Sequence, residues 1–156
     1  MRTSDEGYRA ALRWLAQRAL TAREVRDRLE RQETEAADQV VARLLQEGWL
    51  SDQAVADLEL RRAQSQGRGP GRLAQRLRQR GVDSQVAQDT LARWSPEDVW
   101  AQAEALARRA DPKTLADRQR LARKLQRQGF ASADIVRALR MVVAGDSDRG
   151  EESEWL

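Results

Sequence analysis

The sequence predicts an all-α chain of three tandem three-helix repeats forming an elongated, curved array. Three observations predict it. Apolar residues recur at helical spacing while no stretch alternates as a half-buried strand would. Residues that start and stop helices are dense along the chain. An apolar pair also recurs at a fixed step of 48 residues: Val25, Leu73 and Leu121, then Leu29, Leu77 and Leu125.

The elements follow in order. Helices are expected over 5–19, 22–32 and 35–47, then 52–66, 70–80 and 84–93, and last 96–110, 114–128 and 133–144. Thr21 with Glu24 makes a capping box before Val25 and Leu29. Ser95-Pro96-Glu97-Asp98 supplies a cap, a proline suited to the first helical position and first-turn acids. Gly48, Gly81, Gly129 and Gly145 each follow an apolar-periodic run, where a left-handed residue is wanted. The 48-residue step also relates Arg28, Arg76 and Lys124, so each second helix has one apolar seam and cations on its other faces. The third helices agree more loosely, Val41 and Leu44 answering Ile135 and Leu139, with Val86 and Leu91 between. Expected boundaries are 1–50, 51–94 and 95–145, with an acidic, disordered tail over 146–156. Val25, Leu29, Val40, Val41 and Leu44 are expected in the core, and Trp14, Trp49, Trp94 and Trp100 as core anchors.

Composition narrows the function. The chain has no cysteine, so disulfides and thiolate metal sites are out. It has no histidine, the commonest acid or base near neutrality and the commonest zinc ligand. What remains for chemistry is carboxylates, Lys113, Lys124 and Tyr8, and the expectation is a non-enzyme without cofactors. No run approaches the roughly 20 apolar residues needed to cross a bilayer, and the first residues lack a signal-peptide profile, so a cytoplasmic, membrane-free protein is expected; it is taken as a monomer, a state these features do not decide.

Charge is segregated. Residues 1–60 carry 9 basic and 12 acidic side chains, 61–140 carry 18 and 8, and 141–156 carry 1 and 5. Seven arginines and no acid lie between Arg61 and Val82; five basic residues and no acid lie between Arg118 and Ala133. Such a field attracts polyanions or acidic protein surfaces, although a solvated helix face has the same look. Arg72, Arg76 and Arg80 fall at successive i, i+4 positions and are expected to form one exposed stripe, with no acid between Arg61 and Val82 to pair with them. Arg120, Arg123, Lys124 and Arg127 make a similar surface. Guanidinium forks there would grip carboxylates or phosphates. The run Gly67-Arg68-Gly69-Pro70-Gly71 lacks the ending and preceding strand of a nucleotide loop and reads as an interhelical joint, Pro70 starting the next helix.

These residues resemble a known family. Arg61-Arg62, Gly67 through Leu73, Leu77 and Gly81-Val82, followed by Leu121, Leu125, Gly129-Phe130, Ile135 and Leu139, look like RecX, the regulators of the RecA recombinase; Leu45, Gly48 through Asp52 and Ala56 look like the same family's link between first and second repeats. Val55, where the family pattern has an aromatic, and the acidic first repeat depart from it. The resemblance covers about residues 8–143 and implies tandem three-helix repeats. It also implies binding to RecA filaments on single-stranded DNA, within the groove, and suppression of ATPase, strand exchange and co-protease activity. On this reading Arg61, Arg62, Arg68, Arg72, Arg76, Arg80, Arg120, Arg123, Lys124 and Arg127 meet RecA carboxylates or DNA phosphates. The alternatives are a nonspecific binder of single- or double-stranded DNA and a helical-repeat adaptor with other partners.

Overall fold

A computed structural model describes residues 1–152, with side chains through Gly145. Among them the fold is all-α: α1 Ser4–Gln17, α2 Ala22–Arg31, α3 Ala37–Gln46, α4 Asp52–Ser65, α5 Pro70–Gln79, α6 Ser84–Ala92, α7 Pro96–Ala110, α8 Leu115–Arg127 and α9 Ser132–Glu152. The only β-type pairing among the described residues is an isolated bridge of Arg2 with Thr34. No helix among them is long and apolar enough to cross a membrane.

Helix starts follow the caps read from sequence. The Thr21 hydroxyl accepts from the Glu24 backbone N–H, but the expected box is only half made because the Glu24 carboxylate is taken by Arg80 and Arg18; the Ser95 hydroxyl accepts from Asp98. The 48-residue step appears in burial: Val25, Leu29, Leu73, Leu77, Leu121 and Leu125 are all buried, each contributing roughly 1.5–3 kcal/mol. Their partners in the step, Arg28, Arg76 and Lys124, are exposed. Helix ends repeat as well. Gly81 and Gly129 have positive φ, and the next residues, Val82 and Phe130, donate their backbone N–H back to Leu77 and Leu125. This is the six-to-one closure that lets a glycine end a helix. One step earlier the same closure, Thr34 N–H to Leu29, is made with Glu33 at φ 51, a non-glycine in the left-handed region.

Packing groups the residues into two compact units, Met1–Leu60 with Gln75–Thr90, and Arg61–Ala74 with Leu91–Leu156. The first holds a core of Ala11, Leu20, Val25, Leu29, Val40, Val41, Leu44 and Leu50, which includes the five aliphatic residues expected there, with Trp14 packed against it. Val55, the departure noted above, is fully buried here. In this unit the start of α2 meets the end of α5: the Thr21 hydroxyl donates to the Arg80 carbonyl at 2.7 Å, and Asp52 accepts from the backbone N–H groups of Ala22 and Asp83.

In the second unit α9 packs along α7 and against α8, burying Val99, Ala103, Ala107, Ile135, Ala138 and Val142. The start of α5 meets the end of α8: Gly69 N–H donates to the Gln128 carbonyl at 2.7 Å and Gly71 N–H to the Gly129 carbonyl at 2.9 Å. Gly69 stands 48 residues after Thr21, and Gln128 48 after Arg80. The same end-to-start joint is therefore built once within each unit. α8 itself departs from the step. The starts of α2 and α5 would place its first residue at 118, yet it begins at Leu115, one turn earlier, with a Thr114–Asp117 capping box.

Two expectations are corrected. Gly145 does not end α9: its φ is not positive and the helix runs on to Glu152, because a lone glycine costs a helix only about 1 kcal/mol and nothing else stops it. Of the expected acidic tail, 146–152 continue the α9 backbone and 153–156 lie outside the described residues. Trp94 is buried, but Trp49 is 60% exposed: it follows the left-handed Gly48, and the turn gives the core position to Leu50.

Candidate functional site

The ten expected contact residues divide. Arg76 and Arg80 belong to the first unit, and the other eight to the second. The continuous stripe fails at Arg80, which is 8% exposed and inward-facing. Its guanidinium donates to Glu59 at 2.9 Å, to both carboxylate oxygens of Glu24 at 2.9 and 3.2 Å, and to the Ala19 carbonyl at 2.9 Å. Burial pulls the Glu24 carboxyl upward, but the Arg80 hydrogen bond and charge, aided by Arg18 and the Thr21 backbone, hold it below its ordinary value. Arg80 is a structural clasp, not a surface contact, because carboxylates 56 and 21 residues away in sequence fold onto it. Arg76 is exposed but lies 3.5 Å from the Glu59 carboxylate.

In the second unit Arg61, Arg62 and Arg72 are exposed and Arg68 is half-buried. The stem of Arg72 lies over Gly129, where an added Cβ would sit 2.7 Å from Arg72 Cγ. Cations converge farther on, around α7 and α8. α7 ends at Ala110 with Asp111 in the left-handed region, buried Pro112 turns the chain, and α8 starts at Leu115. Two clefts open beside this hairpin. One, of about 440 Å³, is lined by Ala110, Pro112, Asp117, Arg120, Leu121, Lys124 and Arg127. The other, of about 410 Å³, is lined by Gln66, Gly67, Leu106, Arg109, Ala110, Leu121, Lys124, Leu125 and Gln128. Lys124 lines both. The end of α4 is fixed against α7 by the Gln102 amide, which donates to the Gln64 and Arg68 carbonyls at 3.1 and 3.3 Å. That brings Gln66 and Gly67 to the rim.

The electrostatics are one-sided. Asp117 is the single carboxylate on either lining, and it is occupied. Backbone N–H groups of Thr114 and Lys113 hold its carboxyl below the ordinary value, with the Thr114 hydroxyl and the Arg120 charge adding to the effect. Arg120 pairs with it at 3.3 Å. Arg109, Lys124 and Arg127 have no ion pair among the described residues. The structure thus brings Arg120, Lys124 and Arg127 together as expected, leaves Arg123 exposed but off both linings, and adds Arg109. Sequence reading passed over Arg109 because Arg108-Arg109 at a helix end looks like ordinary macrodipole pairing. Leu106, Gln66 and Gln128 carried no signal of their own.

Comparison with known proteins settles the family. Two family models match the chain, RecX first three-helix domain over residues 8–44 and RecX second three-helix domain over 51–91. The regulatory protein RecX of Halorhodospira halophila is 40% identical over 148 residues, covering 90% of each chain. The chain belongs to the RecX family. The RecX of Trichlorobacter lovleyi is 38% identical over 143 residues, covering 85% of this chain and 92% of its own; it too is named regulatory protein. The crystal structure of RecX from Lactobacillus salivarius superposes with a TM-score of 0.82 at 19% identity, over 90% of this chain and 97% of that one, a likeness of fold. The α7 and α8 residues that line the clefts lie C-terminal to both segments matched by the RecX models, while Gln66 and Gly67 fall within the second of them.

Proposed function

We propose that the chain is a cytoplasmic, non-enzymatic regulator, mainly an inhibitor, of the RecA recombinase, binding the filament that RecA forms on single-stranded DNA and occupying its groove. Bound there, it would keep duplex out and lower ATPase, strand exchange and co-protease activity. The observation that carries the reading, beside the family, is the group of exposed cations in the second unit: Lys124 and Arg127 without ion-pair partners among the described residues, Arg120 beside them. Unneutralised guanidinium and ammonium groups held on formed helices bind anionic surfaces with no backbone left to order, so only side-chain rotamer freedom is lost on contact. Arg61, Arg62, Arg68, Arg72 and Arg123 extend the proposed contact surface of the second unit; Arg76 is a proposed contact of the first unit, and Arg80, being buried, is no longer one.

The test is RecA ATPase on single-stranded DNA titrated with the chain. Turnover falls with the wild type, and Arg120→Glu, Lys124→Glu, Arg127→Glu together cost at least about tenfold in potency, equivalent to 1.4 kcal/mol. Turnover unmoved by the wild type would defeat the reading. Steeply salt-dependent binding to bare DNA that fully accounts for the effect would replace it with simple competition for the strand.

A further inference from the structure

The cleft of Leu106, Arg109, Lys124 and the two glutamines has a chemistry that a plain cationic patch lacks. Its floor is apolar, made of half-buried Leu106 with buried Leu121 and Leu125. Its rim carries two cations, Arg109 and Lys124, neither ion-paired among the described residues, and no carboxylate. Gln66 and Gln128 add primary amides that both donate and accept. A volume of about 410 Å³ suits a side chain or two with their backbone, within the usual range for ligand sites.

We propose that this cleft holds a short acidic peptide segment of a partner protein, an apolar side chain on the leucine floor and a carboxylate between Arg109 and Lys124. The glutamine amides meet the peptide backbone. This deepens the regulatory reading and takes from it only that the partner is a protein. A nucleic-acid strand fits less well, for a specific reason. Single-stranded binders stack bases on aromatic rings, and none of the cleft's lining residues is aromatic. A phosphodiester laid over three leucines would also lose hydration without gaining a partner there.

The experiment uses the full chain and three fluorescent probes: a peptide with a Leu-Leu pair between aspartates, the same peptide with serines for the leucines, and oligothymidylate. Polarisation titrations show the leucine peptide binding best, the serine peptide at least about tenfold weaker. Arg109→Glu and Lys124→Glu, both at exposed positions, each weaken the leucine peptide by a similar factor. Leu106→Gln weakens the leucine peptide but not the serine peptide, with circular dichroism verifying the fold. Equal binding of the two peptides would reduce the cleft to a cation patch and overturn the proposal. So would oligothymidylate binding that is lost in both charge variants while the leucine peptide fails to bind. These outcomes are separate from the RecA assay: inhibition without peptide binding sinks the cleft alone, and peptide binding without inhibition sinks the RecA reading alone.

Discussion

The two units build the same joint, helix start against helix end, 48 residues apart, with opposite chemistry. In the first, Arg80 is clasped by Glu24 and Glu59, and Thr21 reaches its carbonyl through a hydroxyl. In the second, the equivalent positions are Arg72, Gln128 and Gly69, and the contact is backbone on backbone. An added Cβ at Gly69 would lie 2.7 Å from Gly129 main-chain atoms, and one at Gly71 would lie 2.9 Å from the Gly129 carbonyl oxygen. One joint is thus closed by charge and the other by the absence of side chains. A repeat can keep its step while its specificity device changes, because the step is set by apolar seams buried in both.

Substitutions can break each device separately. The largest effect is expected for Arg80→Ala, which removes the buried cation bonded to both Glu59 and Glu24 and leaves them only the more exposed Arg76 and Arg18. Loss of about 3–5 kcal/mol is the usual cost of breaking a buried pair, read as a shift in urea midpoint. Arg80→Met with Glu59→Leu should recover much of it, since well-packed apolar replacements are tolerated. In the second joint Gly129→Ala should cost about 2–3 kcal/mol: its Cβ would meet the Arg72 backbone nitrogen at 2.3 Å from a φ of +93. Gly81→Ala, at the same repeat position, should cost only about 1–2 kcal/mol. There the obstruction is the Arg23 side chain, which can swing away.

Acid should loosen the charged joint selectively. Glu24 titrates lower in the folded chain than in the unfolded one. Its contribution is complete above the unfolded carboxylate value of about 4.3 and is lost as pH falls through the lower folded value. Urea midpoints measured downward from neutrality should fall less for Glu24→Gln, already weakened, than for the wild type. The smallest effect is at Glu33: Glu33→Gly should raise stability by about 0.5–1 kcal/mol by relieving the left-handed backbone, visible as a small rise in Tm.

The nine helices among the described residues were legible to within a few residues at most ends, save the run-on of α9, because caps and apolar spacing act locally. The 48-residue step was legible through leucines and glycines. Its first member was half hidden, because Glu33 does there what Gly81 and Gly129 do later. The cation surface was legible as composition, but not its sorting. Arg72, Arg76 and Arg80 look alike in sequence, and only tertiary contact with Glu24 and Glu59 takes Arg80 inside. Arg109 was illegible for the converse reason: its neighbours in the cleft, Gln66 and Lys124, come from distant segments.

The early start of α8 has a bearing on how long such a chain can grow. A repeating step propagates as long as each helix presents the same beginning to the next, and here the third one spends that beginning on an added turn closed by its own threonine and aspartate. Any fourth module grafted by protein engineering at this point would find no matching seat. Shortening α8 by that turn, and giving it a glycine or bare hydroxyl start, is the change a designer would make first to lengthen the series.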